Sequence, residues 1–327
     1  MNGQKIILHT RKMYKENKIA VVIPAYNEGK LIELTLNGIP EFVDIVFVVH
    51  DGSTDDTYER ILKLQGIQKR IIVINHETNK GLGQSLIDGY LTSKESDADI
   101  TVIMAGDNQM DPNDLPNLLD RIIDEGFDYV KGNRLLHSEV KTSMPRYRLI
   151  GNAILTILTK FATGYFFLMD PQSGYTAIKN SVLKKIPIEK MTKGYGYNAD
   201  ILCMLNIQGF KVTDQEIRPV YGDEKSKIKL LKYIFKSTFL LIRLFFRRLW
   251  RRYVILDFHP LILFYLFSIF NIIAIIIPLI VRFFVLYKSE GEAPKTTLII
   301  LVFTTLITFQ SVLFAIWMDM DYNKRKS

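Results

Sequence analysis

A single cysteine, Cys203, stands in 327 residues, so no disulfide framework can form within the chain and a stapled extracellular scaffold is excluded. Residues 1–18 lack an apolar h-region, and no signal peptide is expected there. Internal repeats and low-complexity tracts are also missing. Acidic side chains are absent from residues 225–256, and charge of either sign is absent from Pro260–Val281 and from Thr296–Met318. As helices these two runs would each span roughly 33 Å, enough for a hydrocarbon core of ~30 Å, and both are expected to cross a membrane. With 327 residues the chain has room for a sizeable core besides.

The net charge of +8 would suit a nucleic-acid partner, but its distribution excludes one. Residues 1–224 carry 26 Lys/Arg against 29 Asp/Glu, residues 225–256 carry 10 against none, and residues 257–327 carry 6 against 5. The surplus is one belt beside the first apolar run, where basic residues are retained on the cytoplasmic side and attract anionic headgroups. The loop Lys288–Lys295 is short and balanced, and Lys324, Arg325 and Lys326 close the chain. The expected topology is a two-helix, multi-pass anchor in the cell membrane with residues 1–257 and the tail in the cytoplasm.

The first half alternates apolar β-rich runs with amphipathic stretches, the pattern of βαβ units and a mostly parallel, Rossmann-like sheet. Strands are expected at Ile19–Ile23, Ile45–Val49, Arg70–Ile74, Ile100–Met104 and Tyr129–Lys131, and helices near Leu31–Asn37, Thr54–Leu64, Leu82–Ser93 and Asn113–Glu125. Asp111-Pro112 fits a helix start. After Lys131 the alternation decays. Leu149, Ile150, Ala153, Ile154, Ile157, Leu158 and Phe161 form a helical stripe, opposite Asn152, Thr156, Thr159 and Lys160, that predicts a helix packed on the sheet. Lys229–Arg252, rich in Phe, Leu, Lys and Arg, reads as an interfacial helix.

Three acidic loops follow the first, second and fourth expected strands: Pro24-Ala25-Tyr26-Asn27-Glu28, His50-Asp51-Gly52-Ser53-Thr54-Asp55-Asp56, and Ala105-Gly106-Asp107-Asn108-Gln109-Met110-Asp111-Pro112. Loops leaving the carboxyl ends of parallel strands are where open α/β sheets bind ligands. Asp107 and Gln109 offer a carboxylate and an amide oxygen from one turn, which suits Mg²⁺ or Mn²⁺; the alternative is that Asp107 only forms a turn. Asp51 can accept from a base or ribose donor, while Asp55 and Asp56 read as helix-start residues. His50 reads as structural ahead of a ribose or base contact. Tyr26 can stack on a base, Glu28 can take a hydroxyl, and Asn27 reads as a turn residue. Asn79-Lys80-Gly81-Leu82-Gly83 reads as a turn with a helix start rather than a phosphate cradle. A lipid phosphate would need charge-assisted donors, and Arg134, Arg146 and Arg148 lie where a membrane-borne acceptor would arrive.

The combination resembles the nucleotide-diphosphosugar transferases of glycosyltransferase family 2, and within them the polyprenyl-phosphate glycosyltransferases such as dolichol-phosphate mannose synthase. The likeness covers Ile19 to about Lys227. It implies a GT-A fold over residues 1–228, basic amphipathic juxtamembrane helices over 229–256, and a transmembrane hairpin over 257–327. It also implies nucleotide-sugar contacts at Pro24, Tyr26, Glu28, Val49, Asp51, Ala105, Gly106 and Asp107, with metal at Asp107 and Gln109. Gly132-Asn133-Arg134 and Pro145-Arg146-Tyr147-Arg148 are similar to acceptor-phosphate segments. Asp170-Pro171-Gln172-Ser173-Gly174-Tyr175 is similar to a motif under the sugar, and Asp200 stands where the family has an acid. Arg218, Lys225 and Lys227 resemble the segment that closes on the donor phosphates. Two departures are His50 and Ala105, where the family carries acids.

The expected activity is metal-dependent, inverting transfer of one sugar from a UDP- or GDP-sugar to a dolichyl or undecaprenyl phosphate, with Asp107, Asp200 and Arg134 as catalytic residues. Two rivals are transfer to a sugar or lipid hydroxyl, for which Asp200 would be the base, and a membrane-anchored nucleotide-sugar-binding protein without activity. A homo-oligomer is compatible with the sequence.

Overall fold

The computed structural model describes residues 13–136, 146–170, 173–194, 196–218 and 230–324. Its sheet contains β1 (Ile19–Ala25), β2 (Ile45–Asp51), β3 (Ile71–His76), β4 (Ile100–Ile103), β5 (Tyr129–Asn133), β6 (Thr176–Lys179) and β7 (Val212–Glu216), in the order β3-β2-β1-β4-β6-β5-β7. Strands β1 to β4 are parallel. Strand β6 is antiparallel to both β4 and β5, and β5 is parallel to β7. The sheet is thus mixed, and the five strands expected from sequence all form.

Two consequences of this order position the site. The chain winds outward from β1 through β2 to β3 and then crosses back to β4, so the topological switch point lies between β1 and β4. Because β6 alone reverses direction in that half, the carboxyl ends of β1, β2, β4, β5 and β7 and the amino end of β6 share one sheet edge.

Both faces of the sheet are covered, which is why β1 reads as continuous Ile-Ala-Val-Val-Ile rather than an alternation. Ile19, Val21 and Ile23 face α1 (Ile32–Gly38), α2 (Thr57–Ile67) and α4 (Leu115–Ile123). Ala20 and Val22 face α3 (Leu82–Glu95) and residues of α6 (Tyr197–Gln208).

Helix α5 (Arg146–Thr163) forms where its periodicity predicted, but it presents another face. Leu155, Thr159 and Ala162 are buried, while Ile154 and Ile157 are exposed. The helix packs on α6 and on α7 (Leu230–Trp250), not on the sheet, around Leu155, Ala162, Ala199, Cys203, Ile207, Leu241 and Leu244. On α7, Lys236, Phe239, Ile242, Arg243, Phe246 and Trp250 are exposed at helical spacing, the pattern of a helix lying in an interface.

Two further helices, α8 (Leu261–Ser289) and α9 (Lys295–Lys324), are long and apolar enough to cross a membrane, and little of either is covered by the rest of the chain. A π turn at Ile272–Ile276 interrupts α8 just before Pro278, which has no N–H to donate and whose ring crowds the preceding turn. The basic belt does not face lipid as a whole. Arg247 pairs with Asp200, Arg248 with Asp319, and Arg252 reaches the Asn206 and Ile207 carbonyls.

Candidate active site

The first two loops are fastened to each other. Asn27 adopts the left-handed conformation (φ 57°), its Oδ1 accepts from Thr54 N at 2.8 Å, and its own N–H donates to Ser53 Oγ at 3.1 Å. Glu28 N donates to Thr57 Oγ1 and Gly29 N to Asp55 Oδ2. Asp55 also accepts from Thr57 N. Burial would raise the Asp55 carboxyl, but these hydrogen bonds outweigh it and hold it below the usual range. Asp56 instead pairs with Arg60 one turn on. Tyr26, 44% exposed, stands clear of this framework on the shared edge.

His50 is a structural residue here. Its Nε2 accepts from Ser53 N at 2.9 Å, which leaves the proton on Nδ1, 2.6 Å from Asn75 Oδ1. The Val49 side chain is in the core against α3, so only its main chain can serve a ligand. Asp51 is almost fully buried and largely engaged: Oδ1 meets His76 Nδ1 at 2.8 Å and accepts from Lys80 N, and Oδ2 accepts from Gly81 N, both at 2.9 Å. Burial opposes its charge, yet these donors keep its carboxyl below the usual range. Its first task is to hold the Lys80-Gly81 turn at the start of α3. A carboxylate accepts about four hydrogen bonds, so Oδ2 retains capacity for one donor of a ligand.

The third loop is seated on the first. The Gly106 carbonyl accepts from Thr35 Oγ1 of α1, and a Cβ at Gly106 would lie 3.1 Å from the Pro24 carbonyl. Glycine there lets the loops after β1 and β4 meet at the switch point. Ala105 N donates to Met110 Sδ, and Gln109 N donates to Asp107 Oδ1 at 3.1 Å, with Asn108 left-handed between them (φ 57°). Asp111 caps the turn Pro112–Asp114 through Asn113 N, as its sequence suggested. No three His, Cys, Asp or Glu side chains gather among the described residues. Asp107 and Gln109 carry one carboxylate and one amide oxygen, donors of the kind that suit Mg²⁺ or Mn²⁺ when a ligand's phosphates and water fill the shell.

Across the switch point, Asp170 receives Arg134 in a fork: Nε to Oδ2 at 2.9 Å and Nη2 to Oδ1 at 3.3 Å. The Arg134 side chain is 41% exposed and that of Asp170 only 4%. Burial would raise the Asp170 carboxyl, but Arg134, and Lys131 behind it, hold it below the usual range. Lys131 is fully buried on β5 and donates to the Ser173 carbonyl. Asp214 of β7 accepts from Asn133 Nδ2 and Met169 N, and burial raises its carboxyl. Sequence reasoning missed Lys131, Asp214 and His76, although each is a polar residue in or at the end of a strand. Arg218 lies by the third loop, its N–H on Asp114 Oδ2 and its guanidinium 3.9 Å from Asp111. Arg146 and Arg148 begin α5, with side chains outside the described residues, as are Lys225 and Lys227.

Asp200, expected as a catalytic acid, is engaged by its neighbours in the structure. It is 2% exposed in the first turn of α6; Oδ2 accepts from Thr192 N and Oγ1, and Oδ1 from Arg247. This carboxylate ties α6 to α7.

Burial pulls Lys131 down from 10.5 to about 8, against the attraction of Asp170 and Asp214. Between those values the unfolded chain binds more protons than the folded one, so stability rises with pH through that window and the penalty of the buried charge is complete below it. Lys131→Met should therefore melt highest relative to wild type near pH 7, with the difference shrinking toward pH 10.5; the total change is on the order of 3 kcal/mol at most. A difference in melting temperature that does not vary with pH would refute this.

The mixed Rossmann-like sheet with loops converging at its switch point has the architecture of the GT-A fold. The chain belongs to glycosyltransferase family 2: the profile described as "Glycosyl transferase family 2" matches residues 20–187. It is 31% identical over 218 residues to the UDP-N-acetylglucosamine–dolichyl-phosphate N-acetylglucosaminyltransferase of Methanococcus voltae, covering 63% of this chain and 86% of that one. It is 28% identical to the undecaprenyl-phosphate mannosyltransferase of Micrococcus luteus, covering 56% and 76%. Glucosyl-3-phosphoglycerate synthase of Mycobacterium tuberculosis, crystallised with Mn²⁺, UDP-glucose and phosphoglyceric acid, shares the fold with a TM-score of 0.53 at 22% identity, over 72% of this chain and 80% of that one.

Proposed function

We propose that this glycosyltransferase moves one sugar from a UDP- or GDP-sugar to a polyprenyl phosphate at the cytoplasmic face of the membrane, with inversion. The observation that carries this reading is the single edge on which the three acidic loops, Arg134, Asp170 and Arg218 all emerge, in a chain that also bears two bilayer-length helices. Relatives named for dolichyl-phosphate and undecaprenyl-phosphate substrates support it.

In this reading residues 1–228 are the catalytic domain, residues 229–256 lie at the interface and residues 257–327 form the anchor. Tyr26 stacks on the base, Glu28 takes a ribose hydroxyl, and Asp51 Oδ2 with the Val49 main chain completes the nucleotide side. Pro24, Ala105 and Gly106 bound the pocket. Asp107 and Gln109 would hold Mg²⁺ or Mn²⁺, which when bound supplies charge stabilisation for the departing diphosphate. Arg218, Lys225 and Lys227 close over the same charge and exclude water. Asp170 orients Arg134 toward the acceptor phosphate, assisted by Arg146 and Arg148. That phosphate is already anionic at neutral pH, so its attack on the anomeric carbon needs positioning and no general base.

A screen of UDP- and GDP-sugars with Mn²⁺ and a short polyprenyl phosphate, read by the mass of the lipid product, tests the reading; absence of product across the screen would defeat it. The hydroxyl-acceptor rival needs Asp200 as base, and its burial between α6 and α7, held by Thr192 and Arg247, opposes that role. Asp200→Asn is expected to cost about 1–3 kcal/mol of stability by weakening the tie to Arg247, with turnover on a phosphate acceptor largely kept. Collapse of turnover with unchanged melting temperature and donor binding would restore the rival.

A further inference from the structure

The second bilayer-length helix ends in a polar cluster that the reaction described above does not use. The apolar run of α9 stops at Met318, and the next residue, Asp319, is 0% exposed. Arg248 of α7, also 0% exposed, donates to it through Nη1 at 2.8 Å and Nη2 at 2.6 Å. Tyr253 Oη donates to the same carboxylate at 2.6 Å, as does Asn323 Nδ2 at 2.8 Å from one turn further along α9.

The cluster continues into the catalytic domain through two helix ends. Arg248 also donates to the carbonyls of Ala162 and Phe161, the last turn of α5, at 3.2 and 3.0 Å. Gly164 permits this approach: its φ is +77°, and a Cβ there would lie 2.7 Å from the guanidinium. Arg252 donates to the Asn206 and Ile207 carbonyls at the end of α6, and Asn206 Nδ2 donates to Asn323 Oδ1 at 2.8 Å. Cations at helix carboxyl ends complement the macrodipole. The helices so held, α5 and α6, are those that begin at Arg146 and at Tyr197.

A buried ion pair is weak evidence for stability, because apolar side chains of similar volume commonly do as well. Its directional content is what apolar packing lacks. Resting on the membrane-acceptor reading above, we propose that Arg248, Asp319 and Asn323 are positioning residues. They fix the angle and depth of α5 and α6 relative to the bilayer, which makes α9 part of the transferase's geometry toward a membrane-embedded acceptor and more than a tether.

The test uses the full chain in liposomes containing phosphatidylglycerol and phosphatidylcholine. In the double variant Arg248→Met/Asp319→Leu, which removes both partners of the ion pair together, transfer to bilayer-embedded undecaprenyl phosphate should fall at least about tenfold, through a raised acceptor KM with donor KM unchanged. Transfer to a water-soluble two-isoprene phosphate should stay within about twofold, since that acceptor is not held at a fixed depth. Equal loss on both acceptors, or no loss on either, overturns the proposal. No transfer to either acceptor by the wild-type protein defeats the functional reading and the proposal with it. Should the double variant fail to fold, Asn323→Leu keeps the ion pair and should show a smaller loss confined to the embedded acceptor; loss on both acceptors counts against the lock. Spin labels at the exposed positions Ile157 on α5 and Ile299 on α9 give a readout independent of activity. Their distance distribution should be narrow in the wild type and broad in either variant, and an unchanged distribution overturns the proposal.

Discussion

Asp107→Ala should reduce transfer by about 10³-fold or more while leaving the melting temperature nearly unchanged. The fold should survive because Asp107 is only partly buried and sits in a loop after β4, outside the two apolar clusters that cover the sheet. The rate should not, because a divalent ion at a developing diphosphate is worth several kcal/mol and each ~1.4 kcal/mol is a factor of ten. Among the described residues no group of three His, Cys, Asp or Glu side chains gathers to hold the ion in its place. Asp107→Asn separates charge from shape: its amide oxygen can still accept from Gln109 N and preserve the turn, yet most of the activity should be lost. Initial rates across a Mn²⁺ titration, with Mn²⁺ binding followed by electron paramagnetic resonance, check both variants. Full, Mn²⁺-saturable activity in Asp107→Ala would sink the site assignment.

The part of the molecule that carries those loops was legible because β1, β2 and β4 are apolar, β-branched and buried on both faces, and each ends at a polar turn. The rest was less so for particular reasons. Strand β6 has four residues and β7 reads Val-Thr-Asp-Gln-Glu at a sheet edge, so neither gives a run to recognise. Helix α6 is buried from Asn198 to Ile207, leaving no polar face to set a period. Helix α5 was placed correctly and turned wrongly, since Thr159 and Ala162 pack inward where the isoleucines were expected. Within the site, residue type pointed to Asp51, Asp107, Arg134 and Asp170 but could not report what each carboxylate already holds. Asp51 and Asp200 look equivalent as letters, and each accepts from three donors; only the fold shows one at the binding edge after β2 and the other between two helices. One signal was available and unread, an acid at the end of an apolar run with an amide four residues on, Asp319 and Asn323.

Arg134→Ala carries the other large expected effect, and its analysis depends on Asp170. The two form a fork in which the carboxylate is buried and the guanidinium half exposed, so the charge offered to an acceptor belongs to Arg134 while its direction is set by Asp170. A charge-assisted contact to a phosphate is worth about 1.5–3 kcal/mol, which predicts a loss of roughly 10- to 100-fold in kcat/KM for the polyprenyl phosphate with donor binding intact. Among the described residues the single variant also leaves Asp170 with Lys131 as its remaining cation nearby, and part of any loss would then be instability. Arg134→Met combined with Asp170→Asn removes that ambiguity by neutralising both partners. If the double variant melts like the wild type and still loses acceptor turnover, Arg134 acts on the acceptor. Arg134→Lys should recover little, because an ammonium cannot reproduce the fork to Asp170 and face a phosphate at the same time. Isothermal titration with UDP- and GDP-sugars alongside acceptor-dependent kinetics separates the two sides; weakened donor binding in the double variant, with acceptor KM unchanged, would move Arg134 from the acceptor to the donor side of the site.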